Sequence, residues 1–210
     1  MFTCPENDIH SIYLDNELPE NLKPGTYNVV NPITFKNRCC VNIKINGYGS
    51  TIKGNGVNNF FNLEYGGLSR CAVYLSNMTI SNFKNPIQSN KQEFIITDCT
   101  FTNNFDDGKK GIIDNKKGNV WIYNSTFKNN NIKNNLLSVT DGVIIIENNT
   151  FDNTSKFIRN NDGTVYSNNN YSVNVATVDD LKKAFEDASN RIIGKYIINR
   201  TNSSYNMPKE

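Results

Sequence analysis

A short phrase recurs along this chain, and its recurrence constrains the fold more strongly than any other feature. Full copies begin at Asn77, Asp98, Asn124 and Asn148, and an eroded copy begins at Asn168. Each full copy has threonine at its third position and an apolar anchor at its fourth. Repeats of about 20–50 residues indicate a solenoid, a propeller or an array, in which each copy buries its apolar face against its neighbours. The anchors are 21, 26, 24 and 20 residues apart: Ile80, Phe101, Phe127, Phe151 and Tyr171.

Two further apolar runs accompany each anchor, one before it and one after it, such as Val120–Ile122 and Leu136–Leu137 in the third copy. The runs are short, rich in β-branched and aromatic residues and bounded by Asn, Asp, Gly and Ser, which is typical of strands. The linkers leave no room for crossover helices. The sequence therefore predicts an all-β fold, a right-handed parallel β-helix of about six three-strand coils. Eight side chains should point inward: Leu75, Ile80, Ile96, Phe101, Ile122, Phe127, Ile146 and Phe151.

The polar residue that opens each copy predicts a ladder. Equivalent residues of successive coils in a parallel stack lie about 4.8 Å apart, so identical asparagines can hydrogen-bond from coil to coil. Asparagine also tolerates the left-handed backbone of a sharp bend. We therefore expect a structural ladder with low exposure and similar backbone angles, and we expect the threonines two positions later to point outward. The ladder residues are Asn77, Asp98, Asn124 and Asn148.

Three motifs precede the repeated phrase: Pro24–Tyr27 (PGTY), Gly47–Gly56 (GYGSTIKGNG) and Phe60–Leu63 (FFNL). With these motifs and the repeats, residues 18–175 resemble the adhesin-like β-helix repeat proteins of methanogenic archaea. The chain is also similar to the wider class of pectate-lyase-like right-handed β-helices on microbial surfaces. The resemblance implies a non-enzymatic module at the cell surface, extracellular in location, with carbohydrate or cell-surface proteins as partners.

Catalysis is the alternative class, since carbohydrate-active enzymes (polysaccharide lyases or hydrolases) and phage-tailspike-like proteins share this fold. The single histidine, His10, lies in the N-terminal segment, which disfavours a nucleophile–histidine pair. Glycosidases need two carboxylates at a defined separation, and the acidic residues are scattered over coils and linkers. Asp98 stands where other copies have asparagine, so we interpret it as a ladder variant. We expect no catalytic residue.

Charge and cysteine content restrict partners and cofactors. The chain has 22 basic and 20 acidic residues without a long run of either sign, so no basic face for nucleic acid is predicted. The chain has no run of about 18 apolar residues, so no membrane span is predicted. Met1–His10 has none of the parts of a signal peptide. Buried thiols, a disulfide and a metal site all remain open for the cysteines, although we expect neither metal nor other cofactor. The five cysteines are Cys4, Cys39, Cys40, Cys71 and Cys99.

The repeat pattern ends before the C-terminus and suggests three regions. Residues 1–17 are an irregular segment, residues 18–175 form the β-helix, and residues 176–210 contain a helix, a strand and a tail. Two interpretations of the last region stay open. It either caps the open end of the solenoid, where the last coil exposes backbone groups and core, or begins another β-helix domain.

Within that last region, Thr177 is expected to be the N-cap of the helix, with acidic residues in the first turn. Arg191–Ile198 is a strand candidate. The periodic pattern predicts one apolar helix face, which consists of Val178, Leu181, Phe185 and Ala188.

An outward apolar stripe is predicted for the first strand of the coils. Tyr74, Ile95, Trp121 and Ile145 each stand one residue before an inward Leu or Ile. Stacking would align them in one column, and exposed apolar surface of that kind usually serves an interaction. The stripe would be a platform for sugar rings or a partner. Alternatively, the C-terminal helix, a linker or a second subunit covers it, or a one-residue register shift turns it inward.

Overall fold

The computed structural model describes residues 24–37, 43–65, 72–151, 158–189 and 194–200. The predicted N-terminal segment 1–17 and four of the five cysteines (Cys4, Cys39, Cys40 and Cys71) lie outside these residues. The strands are β1 (Thr26–Asn28), β2 (Ile33–Asn37), β3 (Ile43–Lys53), β4 (Phe61–Tyr65), β5 (Ala72–Ser81), β6 (Ile87–Asn90), β7 (Glu93–Thr97), β8 (Thr100–Thr102), β9 (Ile113–Lys116), β10 (Asn119–Tyr123), β11 (Thr126–Lys128), β12 (Leu137–Thr140), β13 (Val143–Phe151), β14 (Ile158–Asn161), β15 (Thr164–Val175) and β16 (Gly194–Arg200). Helix α1 is Val178–Ser189.

The strands form two parallel sheets, and the chain passes from one to the other as it winds. The first sheet has ten strands and contains β1, β3, β5, β7, β10, β13, β15 and β16 as successive rungs, with β8 and β11 on its bent flank. The second sheet has six strands in the order β2, β4, β6, β9, β12 and β14. The result is a β-solenoid of about five turns, which confirms the predicted parallel β-helix. Its right-handed sense stays a prediction that rests on the handedness of parallel crossovers.

The anchors of the repeat stack in register through the core. Strand pairing aligns Ile80 with Phe101, Phe101 with Phe127, and Phe127 with Phe151. The Phe127 ring lies 4.7 Å from the Phe101 ring and 5.0 Å from the Phe151 ring, centroid to centroid, with the planes nearly parallel. Ile52 pairs with Ile80 and extends the anchor column by one coil towards the N-terminus. All eight side chains predicted to point inward are buried.

Three corners of the central coils combine a residue with a left-handed backbone and an inward-facing successor. At the three successive corners of the central coils, the left-handed residues have φ between 48° and 59°. The first corner uses Asn77, Asp98, Asn124 and Asn148, the second uses Asn82, Asn103 and Asn129, and the third uses Lys91, Lys117, Asp141 and Asp162. Gly118, Gly142 and Gly163 follow at the third corner, where an added Cβ would meet the backbone oxygen of the preceding coil.

The predicted ladder is correct in its backbone and wrong in its side chains. Asn77, Asp98, Asn124 and Asn148 do share a left-handed bend, but all four side chains are exposed instead of buried. The reason is geometric: the left-handed residue directs its side chain outward at the corner, and its successor turns into the interior. The inward column at this corner lies one residue later and consists of Met78, Cys99, Ser125 and Asn149.

Asn149 shows how this inward column joins the coils. Its Oδ1 accepts a hydrogen bond from the Ser125 N–H at 2.8 Å, and its Nδ2 donates to the Ile122 carbonyl at 2.8 Å. Ser125 Oγ in turn accepts from the Cys99 N–H at 3.1 Å. The side chains thereby satisfy buried backbone groups that the bend removes from the regular strand pairing.

The second corner repeats this arrangement with asparagines. Asn104 Oδ1 accepts from the Phe83 N–H, and Asn104 Nδ2 donates to the Ile80 carbonyl. Asn130 does the same for the next coil, accepting from the Asn104 N–H and donating to the Phe101 carbonyl.

The C-terminal helix α1 lies between β15 and β16, two adjacent strands of the first sheet. The side-chain Oγ1 of Thr177 accepts from the Asp180 N–H, while the Asp180 carboxylate accepts from the Thr177 N–H, so the predicted N-cap is confirmed as a capping box. The predicted apolar face is wrong at Phe185, which is 62% exposed, whereas its neighbour Ala184 is buried. The side chain of Ala188 lies outside the described ones. After α1, strand β16 pairs in parallel with β15, so it continues the first sheet by one rung.

Candidate binding face

The predicted stripe exists as a continuous column on the outer face of the first sheet. Strand register pairs Tyr74 with Ile95, Ile95 with Trp121, and Trp121 with Ile145. All four side chains are half-buried. In β7 and β10, the residues directly before and after Ile95 and Trp121 are buried in the core. The register shift considered above is therefore ruled out, and Trp121 is not buried beneath α1.

The column is longer than the sequence pattern indicates. Lys44 pairs with Tyr74 at one end, and Ile145 pairs with Tyr166 at the other. Lys44 and Tyr166 are not found by counting back a fixed number of residues from the anchors. The reason is that the strand register shifts beside them, between Asn46 and Ser50 and between Glu147 and Thr150. Aligning each strand to its buried neighbours, instead of counting back from the anchor, would have found both residues. We call the six residues the outer stripe: Lys44, Tyr74, Ile95, Trp121, Ile145 and Tyr166.

Exposure increases towards the ends of the outer stripe. Tyr166 is 59% exposed, and the side chain of Lys44 is also exposed. The Lys44 ammonium lies 5.4 Å from the centre of the Tyr74 ring, a cation–π contact. Lys44 is the one ionisable cation of the outer stripe; its other members are aromatic or aliphatic.

A polar column flanks the outer stripe on one side, and a mixed column with polar members flanks it on the other. On one side, strand register aligns Ser76, Thr97, Tyr123 and Glu147. Burial and the nearby Glu147 carboxylate raise the pKa of Tyr123 above its ordinary value, so its hydroxyl is neutral and can donate a hydrogen bond. On the other side, Asn119 Nδ2 donates to Glu93 Oε1 at 3.1 Å. An apolar centre with hydrogen-bonding edges suits a ligand that has both apolar faces and hydroxyl groups.

The threonine column lies beyond the first corner. Pairing aligns the third-position threonines of the repeats, and the column extends to Thr51 and Thr26. These side chains are half-buried or exposed, so the predicted outward position is confirmed.

A second polar cluster lies on the outer face of the second sheet. Burial raises the pKa of Asp114, although a hydrogen bond from Ser138 opposes this effect. Lys110 Nζ donates to Gln88 Oε1 at 2.5 Å. Burial also acts to raise the pKa of Asp107. However, its carboxylate accepts hydrogen bonds from the backbone N–H groups of Lys110 and Lys109, and the net pKa is below the ordinary value. The Asp107 carboxylate thus organises its own loop.

Cys99 is the one cysteine within the described part of the chain, and its thiol is free and buried. Burial raises its pKa to about 12. Its Sγ lies 3.2 Å from the Thr97 carbonyl oxygen, to which it donates. The thiol is therefore a core group that stays protonated at neutral pH.

Across the described ranges, no three His, Cys, Asp or Glu side chains come together as a metal-binding group. Among the residues with a described structure, no helix has the length and apolar character needed to cross a membrane. The architecture defines the class of this protein, a parallel β-solenoid. No family model, curated protein or solved structure matches the chain.

Proposed function

We propose that this chain is a non-enzymatic, adhesin-like module that binds carbohydrate through the outer stripe. The observation that carries the proposal is the alignment of Tyr74, Trp121 and Tyr166 in one outward column of a continuous sheet. Aromatic rings offer large apolar faces with few rotatable bonds, and the C–H face of a sugar ring packs against them. Polar residues beside the outer stripe, such as Tyr123 and Asn119, supply partners for sugar hydroxyls.

The chemistry of the outer stripe favours binding over turnover. General acid–base catalysis needs a side chain that exchanges a proton near the operating pH. The six residues include no carboxyl, imidazole or thiol group, the side chains that most often exchange such a proton. A role at the cell surface rests on the resemblance of residues 18–175 to adhesin-like proteins.

Fluorescence offers a direct test, because Trp121 is the only tryptophan of the chain. Titration with soluble oligosaccharides should change its emission in a saturable way. Trp121→Ala and Tyr74→Ala should weaken binding in calorimetry, while Tyr48→Ala should not. Tyr48 is a matched control because it is an exposed tyrosine outside the stripe, 44% exposed. Absence of binding to every glycan of a broad panel would contradict the proposal, and so would binding that is indifferent to both stripe substitutions.

The enzymatic alternative predicts a different result with the same panel. It requires release of shorter products from a polysaccharide. The raised pKa of Asp114 makes that carboxyl the residue to examine first. Product release that disappears in Asp114→Asn would favour an enzyme. Binding without release favours the adhesin-like module.

A further inference from the structure

The aromatic residues of the outer stripe occur on every second coil. From the N-terminal end, the side chains after Lys44 read Tyr74, Ile95, Trp121, Ile145 and Tyr166, so a ring alternates with an isoleucine. Successive coils of a parallel sheet are about 4.8 Å apart, so rings recur every 9.6 Å or so. The isoleucines between them are half-buried, as Tyr74 and Trp121 are, but they have no aromatic ring on which a sugar could stack.

We infer that the ligand of the outer stripe is an extended β-linked glycan whose chain runs along the solenoid axis. This inference rests on the proposed function and specifies its ligand. In a glucan or chitin-like chain with a twofold screw, each sugar is rotated by half a turn relative to the previous one. The same ring face therefore recurs once per disaccharide, and this repeat is close to two coil spacings. Helical α-linked glucans curve away from a straight column and have no such repeat.

The polar column on one side of the outer stripe fits the same orientation. Ser76, Thr97, Tyr123 and Glu147 occupy successive rungs beside the outer stripe, so a chain along the axis meets one polar side chain at every sugar. A glycan lying across the axis, parallel to the strands, would contact one aromatic ring at most. Stacking on several rings therefore requires the axial orientation.

The length of the outer stripe sets an expected ligand length. Tyr74 and Tyr166 are separated by four coil steps, roughly 19 Å. A chain of about five sugars spans this distance at one sugar per coil. Affinity should rise with each added disaccharide up to that length and then level off.

The test compares β-linked gluco- and chito-oligosaccharides with α-linked gluco-oligosaccharides of equal length. Binding of each is measured by the change in tryptophan fluorescence. We expect at least about tenfold tighter binding of the β-linked series, which is the scale of one aromatic contact. Equal binding of both series, with dependence on Trp121, would overturn this inference and leave the proposed function standing. Binding of neither series nor any other glycan would remove both.

A positional swap provides the matched variant. Trp121→Ile combined with Ile145→Trp keeps the side chains of the outer stripe and the fluorophore but breaks the alternation. We expect this variant to lose about tenfold in affinity for the β-linked series, and unchanged affinity would overturn the inference. Should the variant fail to fold, the length series on the unmodified chain decides: a plateau at one or two sugars contradicts an axial glycan.

Discussion

In strand β10, Val120 and Ile122 point into the solenoid and are fully buried, whereas Trp121 between them points outward and is half-buried. The anchor column of the core keeps large apolar residues from coil to coil and ends in three aligned phenylalanines. The outer stripe changes from lysine to tyrosine to isoleucine to tryptophan. Packing against both neighbours restricts size and shape inside, and no such restriction applies outside. Packing thus places stability on the inner face of these strands, and the proposed binding uses the outer face of the same strands.

The largest expected difference between the faces is at the aromatic stack. Phe127→Ala should lower the free energy of unfolding by about 3–5 kcal/mol, because it leaves a cavity between the Phe101 and Phe151 rings. The outward neighbour Thr126→Ala should change it by about 0.5 kcal/mol or less. Urea unfolding followed by circular dichroism measures both. Similar losses for the two substitutions would show that the interior stack is not the main source of stability.

Asn148 and Asn149 are adjacent at the first corner, and they allow the outer and inner faces to be compared at neighbouring positions. Asn149→Ala should cost about 1–3 kcal/mol for each backbone group left unsatisfied, namely the Ser125 N–H and the Ile122 carbonyl. Asn148→Gly should be almost neutral, because the side chain is exposed and glycine accepts φ 54° without strain. Denaturant unfolding of both variants provides the measurement. A larger loss of stability for Asn148→Gly than for Asn149→Ala would indicate that the outward residues form the stabilising ladder.

Thiol reactivity distinguishes inside from outside at the same corner. In a chain whose other four cysteines are replaced by serine, native Cys99 should react with an aromatic disulfide reagent only when the protein opens, because the thiolate is the reactive form. Asp98→Cys combined with Cys99→Ser in that background moves the thiol to the exposed position and should react at once. Fast labelling of native Cys99 would contradict its burial.

The same thiol predicts a loss of stability at high pH. Its pKa is raised from 9.0 to about 12, so the folded chain retains a proton that the unfolded chain releases above pH 9. Stability is therefore unaffected by this group below pH 9 and falls as pH rises from there towards 12. Comparison with Cys99→Ser isolates the effect, since that variant lacks the group. An identical pH dependence for both chains would contradict the shift.

A small effect on stability is also expected on the outer stripe. Trp121→Ala should change the free energy of unfolding by less than about 1 kcal/mol, because the ring is half-buried and outside the core. The same substitution should weaken glycan binding. A loss of stability comparable to that of Phe127→Ala would mean that the outer stripe is a packing surface of the fold.

The stacking of coils was predictable because it depends on spacing that the sequence displays. Constant offsets around Phe101, Phe127 and Phe151 place their strands in one register whatever the length of the linkers. The outward column from Tyr74 to Ile145 follows from the alternation of side chains along a strand. Its ends at Lys44 and Tyr166 do not, because irregular pairing beside them changes the count of residues.

The repeated phrase by itself therefore determined the parallel stack, its aromatic core and the positions of the corners. Tertiary structure alone decided which of two neighbours at a corner, such as Asn148 and Asn149, faces the interior. Left-handed backbone breaks the alternation of a strand, and the direction of the next side chain depends on the path of the adjacent coil. The face of α1 is a similar case. Phe185 fits an apolar pattern, but only the packing of the helix on β15 selects Ala184 for burial.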